Sequence, residues 1–375
     1  MLITNAAQLL NYQACHRVWQ GLPGVVRTKG GRLFVCFYSG GIAEQNGNYA
    51  LLLRSDDGEN FGEPVAVAFK QGEFRCYDPV LWIDPLDRLW FFWGVMPGAE
   101  VMAAICDDPD ADELCWSEEF YVGRGVMMNK PTVLSDGRWL FPIALWDPAI
   151  CPTLPFGTLG KDDISAAFVY ESCDEGKTIT RQGGVAIPGR SFDEHMIVEQ
   201  ADGSLRMLVR LLHGIGESYS RDGGKTWEDG FVSDIKGPSS RFFIRRLRSG
   251  RILLVNHYDF KGRNNLTALL SEDDGKTFPY RLLLDERNAV SYPDAHENED
   301  GYIDIVYDRE RGAQLKSINE AYLQAREILL ARITEQDILQ GSLCSERSYL
   351  KRVASKLGRL SEQDGDPYAP PVTNQ

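Results

Sequence analysis

The sequence lacks the patterns that would commit it to a metal, a disulfide framework or a membrane. Its eight cysteines, at 15, 36, 76, 106, 115, 151, 173 and 344, include no Cys-x-x-Cys pair. A zinc or dithiol motif is therefore missing, and free thiols in a reducing compartment are expected. The five histidines, at 16, 195, 213, 257 and 296, are dispersed, so neither a metal site nor a cofactor is expected. No apolar run is long enough to span a bilayer. The opening residues Met1 to Ala7 lack the basic start and apolar core of a signal peptide, and a cytoplasmic location is the expectation. Positive charge is also in deficit. Forty Lys and Arg against 54 Asp and Glu leave a net charge of −14, which repels nucleic acid and anionic membrane surfaces. An acidic substrate would need a local cluster of arginines. The oligomeric state is not encoded in any pattern found.

What is present is a repeat. Six times an apolar run, a short Gly or Asp turn and a second apolar run recur, with turns at Gly30, Asp87, Gly137, Gly203, Gly250 and Gly301. Each unit reads as a β-hairpin. The interval of roughly fifty residues suits a four-stranded propeller blade, and internal repeats of that length decide the fold. The chain is therefore expected to be all-β, a six-bladed propeller over 1–340. An amphipathic helix is expected within 341–360, because Leu350, Val353, Leu357 and Leu360 stand at helical spacing. Residues 361–375, with three prolines and few apolar residues, read as a disordered tail.

Between the hairpins lies a second motif, Ser-x-Asp-x-Gly-x-Thr followed by an aromatic or apolar residue. It is complete from Ser220 to Trp227 and closely copied from Ser271 to Phe278 and from Ser172 to Ile179. A weaker copy, with Arg54 in the serine position, runs to Phe61, and Cys106 to Trp116 reads as a decayed one. The Asp can accept backbone N–H groups in a tight turn, and Gly supplies a left-handed conformation. This is the Asp-box, a structural device that recurs in catalytic and binding proteins alike.

Four segments carry a more specific resemblance, to the sialidase superfamily, over about residues 15 to 340. The segment from Asp193 through the Asp202-Gly203 turn to Arg210 resembles the family's Asn-Glu segment. The resemblance puts on Glu194 the carboxylate that polarises a nucleophile, and on Arg210 a grip on a substrate carboxylate. Arg263, ahead of an apolar strand and an Asp-box, matches a second family arginine. A guanidinium suits a carboxylate bidentately. The segment at Ser291-Tyr292-Pro293-Asp294 resembles the one carrying the family's nucleophile, which falls on Tyr292. A phenol of ordinary pKa near 10 needs an adjacent base, and Glu194 is the expected one.

The fourth segment departs from the pattern. Blade one of sialidases opens with Arg-Ile-Pro; here Gly21-Leu22-Pro23 stands instead. Arg17 and Lys130 are the expected replacements, and Asp308 matches the acid that steadies the missing arginine. No Asp precedes the first Asp-box, so Glu44 is the nearest candidate general acid and Asp78 the next. Asn129 is expected to line the cleft, and His195 to point at the cleft or its wall. The resemblance implies a sialidase-like exo-glycosidase acting on a ulosonic or uronic acid sugar, with a carbohydrate as its partner. Two rivals stand beside it: a non-catalytic carbohydrate-binding propeller, and a polysaccharide lyase using Tyr292, His195 or His257.

Overall fold

Six antiparallel sheets form around one axis in the computed structural model, which describes residues 1–41, 43–147, 164–311 and 324–357. Their innermost strands are Trp19–Arg27, Arg75–Ile83, the split pair Val126–Met127 and Thr132–Val133, Arg190–Glu199, Phe243–Arg246 and Val290–Glu297. Each turns back into a second strand, and the six turns fall where the sequence places them. Blade 1 has a fifth strand, because Leu2–Ile3 pairs with Ala66–Ala68. The innermost and second strands are almost wholly buried apolar runs, as expected of sheets covered on both faces.

The Asp-boxes lock the opposite face from the one described below as the cleft. In blade 4 the Asp222 carboxylate accepts the N–H groups of Lys225 and Thr226 and the Thr226 hydroxyl. Ser220 accepts from Gly224 N–H. Blades 3 and 5 repeat the arrangement at Asp174 and Asp273. In blade 1 the working pair is Ser55 and Asp57, with Asp57 accepting from Glu59 and Asn60. The turn is one residue shorter than the sequence alignment on Arg54 requires. Successive blades are then stitched by arginines at the start of the second strands. Arg88 donates to Glu175 O (2.8 Å), Arg138 to Gly223 O (3.2 Å) and Arg206 to Gly275 O (2.7 Å), each one blade onward.

The C-terminal segment corrects the sequence reading. A short helix does occur near the C-terminus, at Glu335–Gln340, capped by Thr334 and Asp337 and ended by left-handed Gly341. The segment expected to be helical is instead a strand, Tyr349–Lys356, which completes blade 6. Its pairing with Glu327–Thr334 shifts register twice. A bulge inserts one residue and changes the phase of the two-residue alternation. Two shifts in eight residues give Leu350, Val353 and Leu357 a spacing that imitates a helix. Leu360 and the expected tail lie outside the described residues.

Among the described residues no strand is shared between the first and last blades, and buried polar contacts join them. Leu22 N–H donates to Asp308 (2.9 Å) and Val25 N–H to Asp294 (2.8 Å). Arg27 makes a two-pronged pair with Asp304, at 2.7 and 3.0 Å, with both side chains buried. Removing one member of such a pair leaves an uncompensated charge in the interior. Asp304→Ala is expected to destabilise the protein by about 3–5 kcal/mol in chemical denaturation. A loss below 1 kcal/mol would show that the seam does not depend on the pair.

Candidate active site

The cleft lies where the innermost strands begin, and a backbone device aims its side chains. The first strands of blades 1, 2, 4 and 6 each shift register near their start, at Gly21–Gly24, Tyr77–Val80, Arg190–His195 and Ser291–Asp294. Inside these bulges sit residues with positive φ: Leu22 (56°), Asp78 (44°), Phe192 (61°), Asp193 (37°) and Tyr292 (56°). Side chains other than glycine are disfavoured there. The bulge turns a residue that would lie against the neighbouring blade toward the axis.

Tyr292 is the centre of the cluster. Its hydroxyl donates to Glu194 Oε1 at 3.0 Å, and Arg210 Nη1 donates both to that carboxylate (2.5 Å) and to the Tyr292 oxygen (2.9 Å). Three further guanidiniums surround the phenol ring, with Arg311 at 4.4 Å from its centroid, Arg263 at 5.2 Å and Arg241 at 5.5 Å. Arg241 is a positioning group. It donates to the carbonyls of Pro23, Met128 and Tyr292, joining blades 1, 3 and 6 directly under the left-handed residue. Arg263 is fixed by its own loop: His257 Nδ1 donates to Asn264 O (2.7 Å), and Arg263 Nη2 to Ser239 O (2.8 Å).

Thus Tyr292, Glu194, Arg210 and Arg263 are brought together. The blade-one gap is filled by a residue that the sequence reading did not select. Arg311 follows the second strand of blade 6, pairs with Asp308 at 3.4 Å and lies 3.9 Å from Glu44. A Cβ built on Gly21 would stand 2.7 Å from Arg311 Cδ and 3.1 Å from Asp308 Oδ2. The Arg311 side chain therefore runs through the space that any side chain at position 21 would take. Burial opposes its charge, but Asp308, Tyr292 and Glu44 outweigh burial and hold Arg311 above the ordinary arginine value. Two signals could have found it. Arg210 has the same place, at the end of a second strand, in blade 4; and a glycine at position 21 leaves room for an incoming chain.

The other expected residues go elsewhere. Arg17 is buried against the Phe37 ring (5.4 Å) and Gln20, away from the Tyr292 cluster. Lys130 is buried on the axis, paired with Asp294 and donating to Val25 O (2.8 Å). Asn129 donates to His195 O (3.0 Å) across the blade 3–4 seam. Both ring nitrogens of His195 lie against carbonyls, of Asp193 (2.9 Å) and Phe168 (2.8 Å), so the ring props the wall and does not face the cleft. The contacts of these side chains come from the interior, which spacing alone does not reveal.

The carboxyl groups are unequal. Asp78 is 5% exposed. Burial first, and then the neighbouring Glu44, push it up to about 8, against the pull of Arg75. Glu44 is the more exposed of the two, with 36% of its side chain open. The cluster therefore holds a phenol bonded to a carboxylate, a carboxyl that keeps its proton near neutrality, and a surplus of guanidinium. Arg210 is matched by Glu194 and Arg311 by Asp308. Arg263 has no carboxylate within 4.0 Å among the described residues. Burial, then the neighbouring Arg311 and Arg210, lower it, against Tyr292. A site of this kind can hold an anion, pass a proton from phenol to carboxylate and deliver another from Asp78. Among the described residues no group of His, Cys, Asp and Glu could hold a metal ion.

The family described as BNR repeat-like domain matches residues 31–305. Among solved structures, the leech intramolecular trans-sialidase complexed with 2,7-anhydro-Neu5Ac superposes with a TM-score of 0.67 at 15% identity, covering 88% of this chain and 70% of that one. The intramolecular trans-sialidase from Ruminococcus gnavus gives 0.64 at 15% identity, covering 88% and 97%. The Hadza microbial sialidase Hz136 gives 0.62 at 20% identity; it matches 78% of this chain, and the match spans 64% of its own length. No curated protein sequence matches. At these identities the structural likeness carries the fold.

The raised Asp78 value fixes the sign of a stability effect. Its folded value, about 8, exceeds the ordinary 3.8. Between those limits the folded state holds a proton that the unfolded state has lost, so stability falls as pH rises through the window and levels off above it. Asp193, raised by burial to about 7, adds to the same trend. Asp78→Asn is expected to flatten the pH dependence of urea unfolding by up to about 1.4 kcal/mol per pH unit. Identical slopes in the two proteins would show that Asp78 is ionised in the fold.

Proposed function

The chain belongs to the BNR repeat-like domain family as a sialidase-like six-bladed propeller, and from that premise we infer that it is an exo-glycoside hydrolase cleaving an acidic sugar. The observation that carries this reading is the Tyr292 hydroxyl held between Glu194 and Arg210, beside a guanidinium that has no carboxylate of its own. The substrate class is a ulosonic or uronic acid glycoside. Its carboxylate sits toward Arg263, with Arg311 and Arg210 on either side, where a charge-assisted fork is strongest.

In this mechanism Tyr292 oxygen attacks the anomeric carbon and its proton passes to Glu194. The bond to the leaving oxygen breaks as Asp78 gives that oxygen its proton. Water then attacks the anomeric carbon, losing a proton to Asp78, and the phenol leaves with the proton returned by Glu194. The anomeric configuration is retained after two displacements, and a tyrosine nucleophile is the recognised sialidase departure from the two-carboxylate scheme. A neutral nucleophile avoids repulsion from the anionic sugar. The raised Asp78 favours it over Glu44 as the acid, while Glu44 reinforces that rise.

The lyase alternative would draw its base and acid from Tyr292, His195 and His257, and both histidines are engaged elsewhere. His195 is bound between two carbonyls, and burial lowers His257 to about 4 with Nδ1 committed to Asn264. The binding-only alternative has no use for a phenol bonded to a carboxylate. Release of an aryl group from acidic aryl glycosides is the direct test, with sialosides and uronides compared. Tyr292→Phe is expected to keep the fold and lose on the order of 10³-fold or more in kcat. Unchanged turnover would remove the tyrosyl step, and a product with new ultraviolet absorption would mark a lyase. The basic limb of kcat/KM for the wild type is expected near pH 8, following Asp78.

Arg311→Met keeps length and removes charge. One charge-assisted hydrogen bond is worth about 1.5–3 kcal/mol, so kcat/KM on the acidic glycoside is expected to fall roughly 10- to 150-fold. Arg17→Met is expected to leave it unchanged at matched folded fraction. The reverse ranking would return the third cation to Arg17.

A further inference from the structure

The axis of the propeller carries cations at three levels, and the lowest has not been given a role. Arg241, nearest the cleft, donates to three carbonyls. Below it Lys130 is matched by Asp294 and Val25 O. The third is Arg245, at the end of the blade 5 innermost strand, whose guanidinium makes one hydrogen bond among the described residues, Nη2 to Pro131 O (2.5 Å). No carboxylate lies within 4.0 Å of this guanidinium among the described residues. Arg245 opens on a cavity of about 480 Å³ at the face opposite the cleft, walled by the turns of all six blades.

Ion pairs line the mouth and walls of this funnel. At the mouth Lys29 pairs with Asp87 (2.6 Å) and Glu299 (3.9 Å), and Arg248 with Glu299 (4.0 Å). Arg246 pairs with Asp274 and Arg27 with Asp304. The remaining wall carboxylates face other partners: Asp84 holds Arg88 and Trp90, Glu199 holds Ser135, and Glu297 accepts Arg248 N–H. Glu199 and Glu297 thus meet only neutral donors, while Arg245 at the floor has Asp294 and Glu297 as its nearest acids, both beyond ion-pair distance. His296 beside Arg245 responds to its charge. Burial, then Lys130 and Arg245, push its ring down to about 3, so it stays neutral where another proton would be repelled.

We propose that this funnel is a second binding site, separate from the cleft, which seats a small oxyanion of the phosphate, sulfate or carboxylate kind on Arg245. Arginine presents a planar fork that two oxygens of such an anion can fill, and the cavity is of ligand size. The anion would tie the blade 5 turn to blades 1 and 3, whose Arg27 and Pro131 stand beside it. A ligand that binds the folded state alone raises its stability.

Thermal melts in phosphate, sulfate or acetate, each against chloride at equal ionic strength, test the site. A rise of roughly 2 °C or more in Tm is expected with at least one oxyanion at about 50 mM. The rise is expected to vanish in Arg245→Met and to persist in Arg248→Met at the mouth. Phosphate and sulfate acting together would identify a free inorganic anion as the ligand class, and acetate alone an organic acid. Equal rises in wild type and Arg245→Met, or none above chloride, would overturn the proposal. Wild-type crystals soaked in selenate give a reading that does not rely on a variant. An anomalous peak beside Arg245 is expected, and an empty funnel would count against the site even if Arg245→Met fails to fold.

Discussion

The cleft depends on one backbone constraint, the left-handed residue inside a bulge near the start of an innermost strand. A regular strand sends alternate side chains to opposite faces of a blade, where neighbouring blades bury them. The bulges at Leu22, Asp78, Phe192–Asp193 and Tyr292 break that rule in four blades. Each non-glycine residue so placed costs about 1–3 kcal/mol, and such strain persists only where the surroundings over-determine it. At Tyr292 they do: Arg241 holds its carbonyl, Glu194 and Arg210 hold its hydroxyl, and Ser291 is tied to Asp308. The strain and the chemistry share the same residues.

The second constraint is charge. A chain with net −14 builds a positive centre in which Arg210 and Arg311 have carboxylate partners while Arg241 and Arg263 bond carbonyls. Arg311 shows how this arrangement tolerates rearrangement. The space above Gly21 is filled from the end of a strand in blade 6, and Asp308 meets the guanidinium there. The cation enters the cleft from the last blade, while the position that the resemblance assigns to it holds Gly21. The ring closes because blades 1 and 6 are adjacent, so either strand can deliver a cation to the same volume.

That distinction explains what could be read from the sequence. The hairpins, their six turns and the Asp-boxes are local, and their spacing made the propeller legible. Glu194 and Tyr292 were legible because each follows a motif that starts an innermost strand. Arg17, Lys130 and Asn129 were misplaced because their surroundings are assembled from distant segments of the chain, and His195 falls on the wall side of its expected position. Lys130 meets Asp294, which lies 164 residues away. The strand at Tyr349–Lys356 was hidden by two register shifts, and the blade 1 Asp-box by a one-residue shortening. In each case an inserted or deleted residue altered a period that the fold absorbs and a pattern reading does not.

The axis joins these observations. Innermost strands converging on one line bring backbone carbonyls together, and unsatisfied carbonyls in the interior are costly. Long cationic side chains reaching inward meet that need, as Arg241 does with carbonyls from three blades and Lys130 with one carbonyl and one carboxylate. A propeller with such an axis tends to accumulate positive charge along it. The interior can neutralise that charge only where an acid such as Asp294 projects inward from a strand. Toward the two ends, no acid among the described residues lies within 4.0 Å of the last guanidinium, Arg263 on the cleft side and Arg245 on the other. The same packing demand that closes the ring thus leaves a guanidinium without a close acid on either side of the axis. What distinguishes the cleft is the additional pairing of Tyr292 with Glu194, which only the bulged, left-handed backbone can supply.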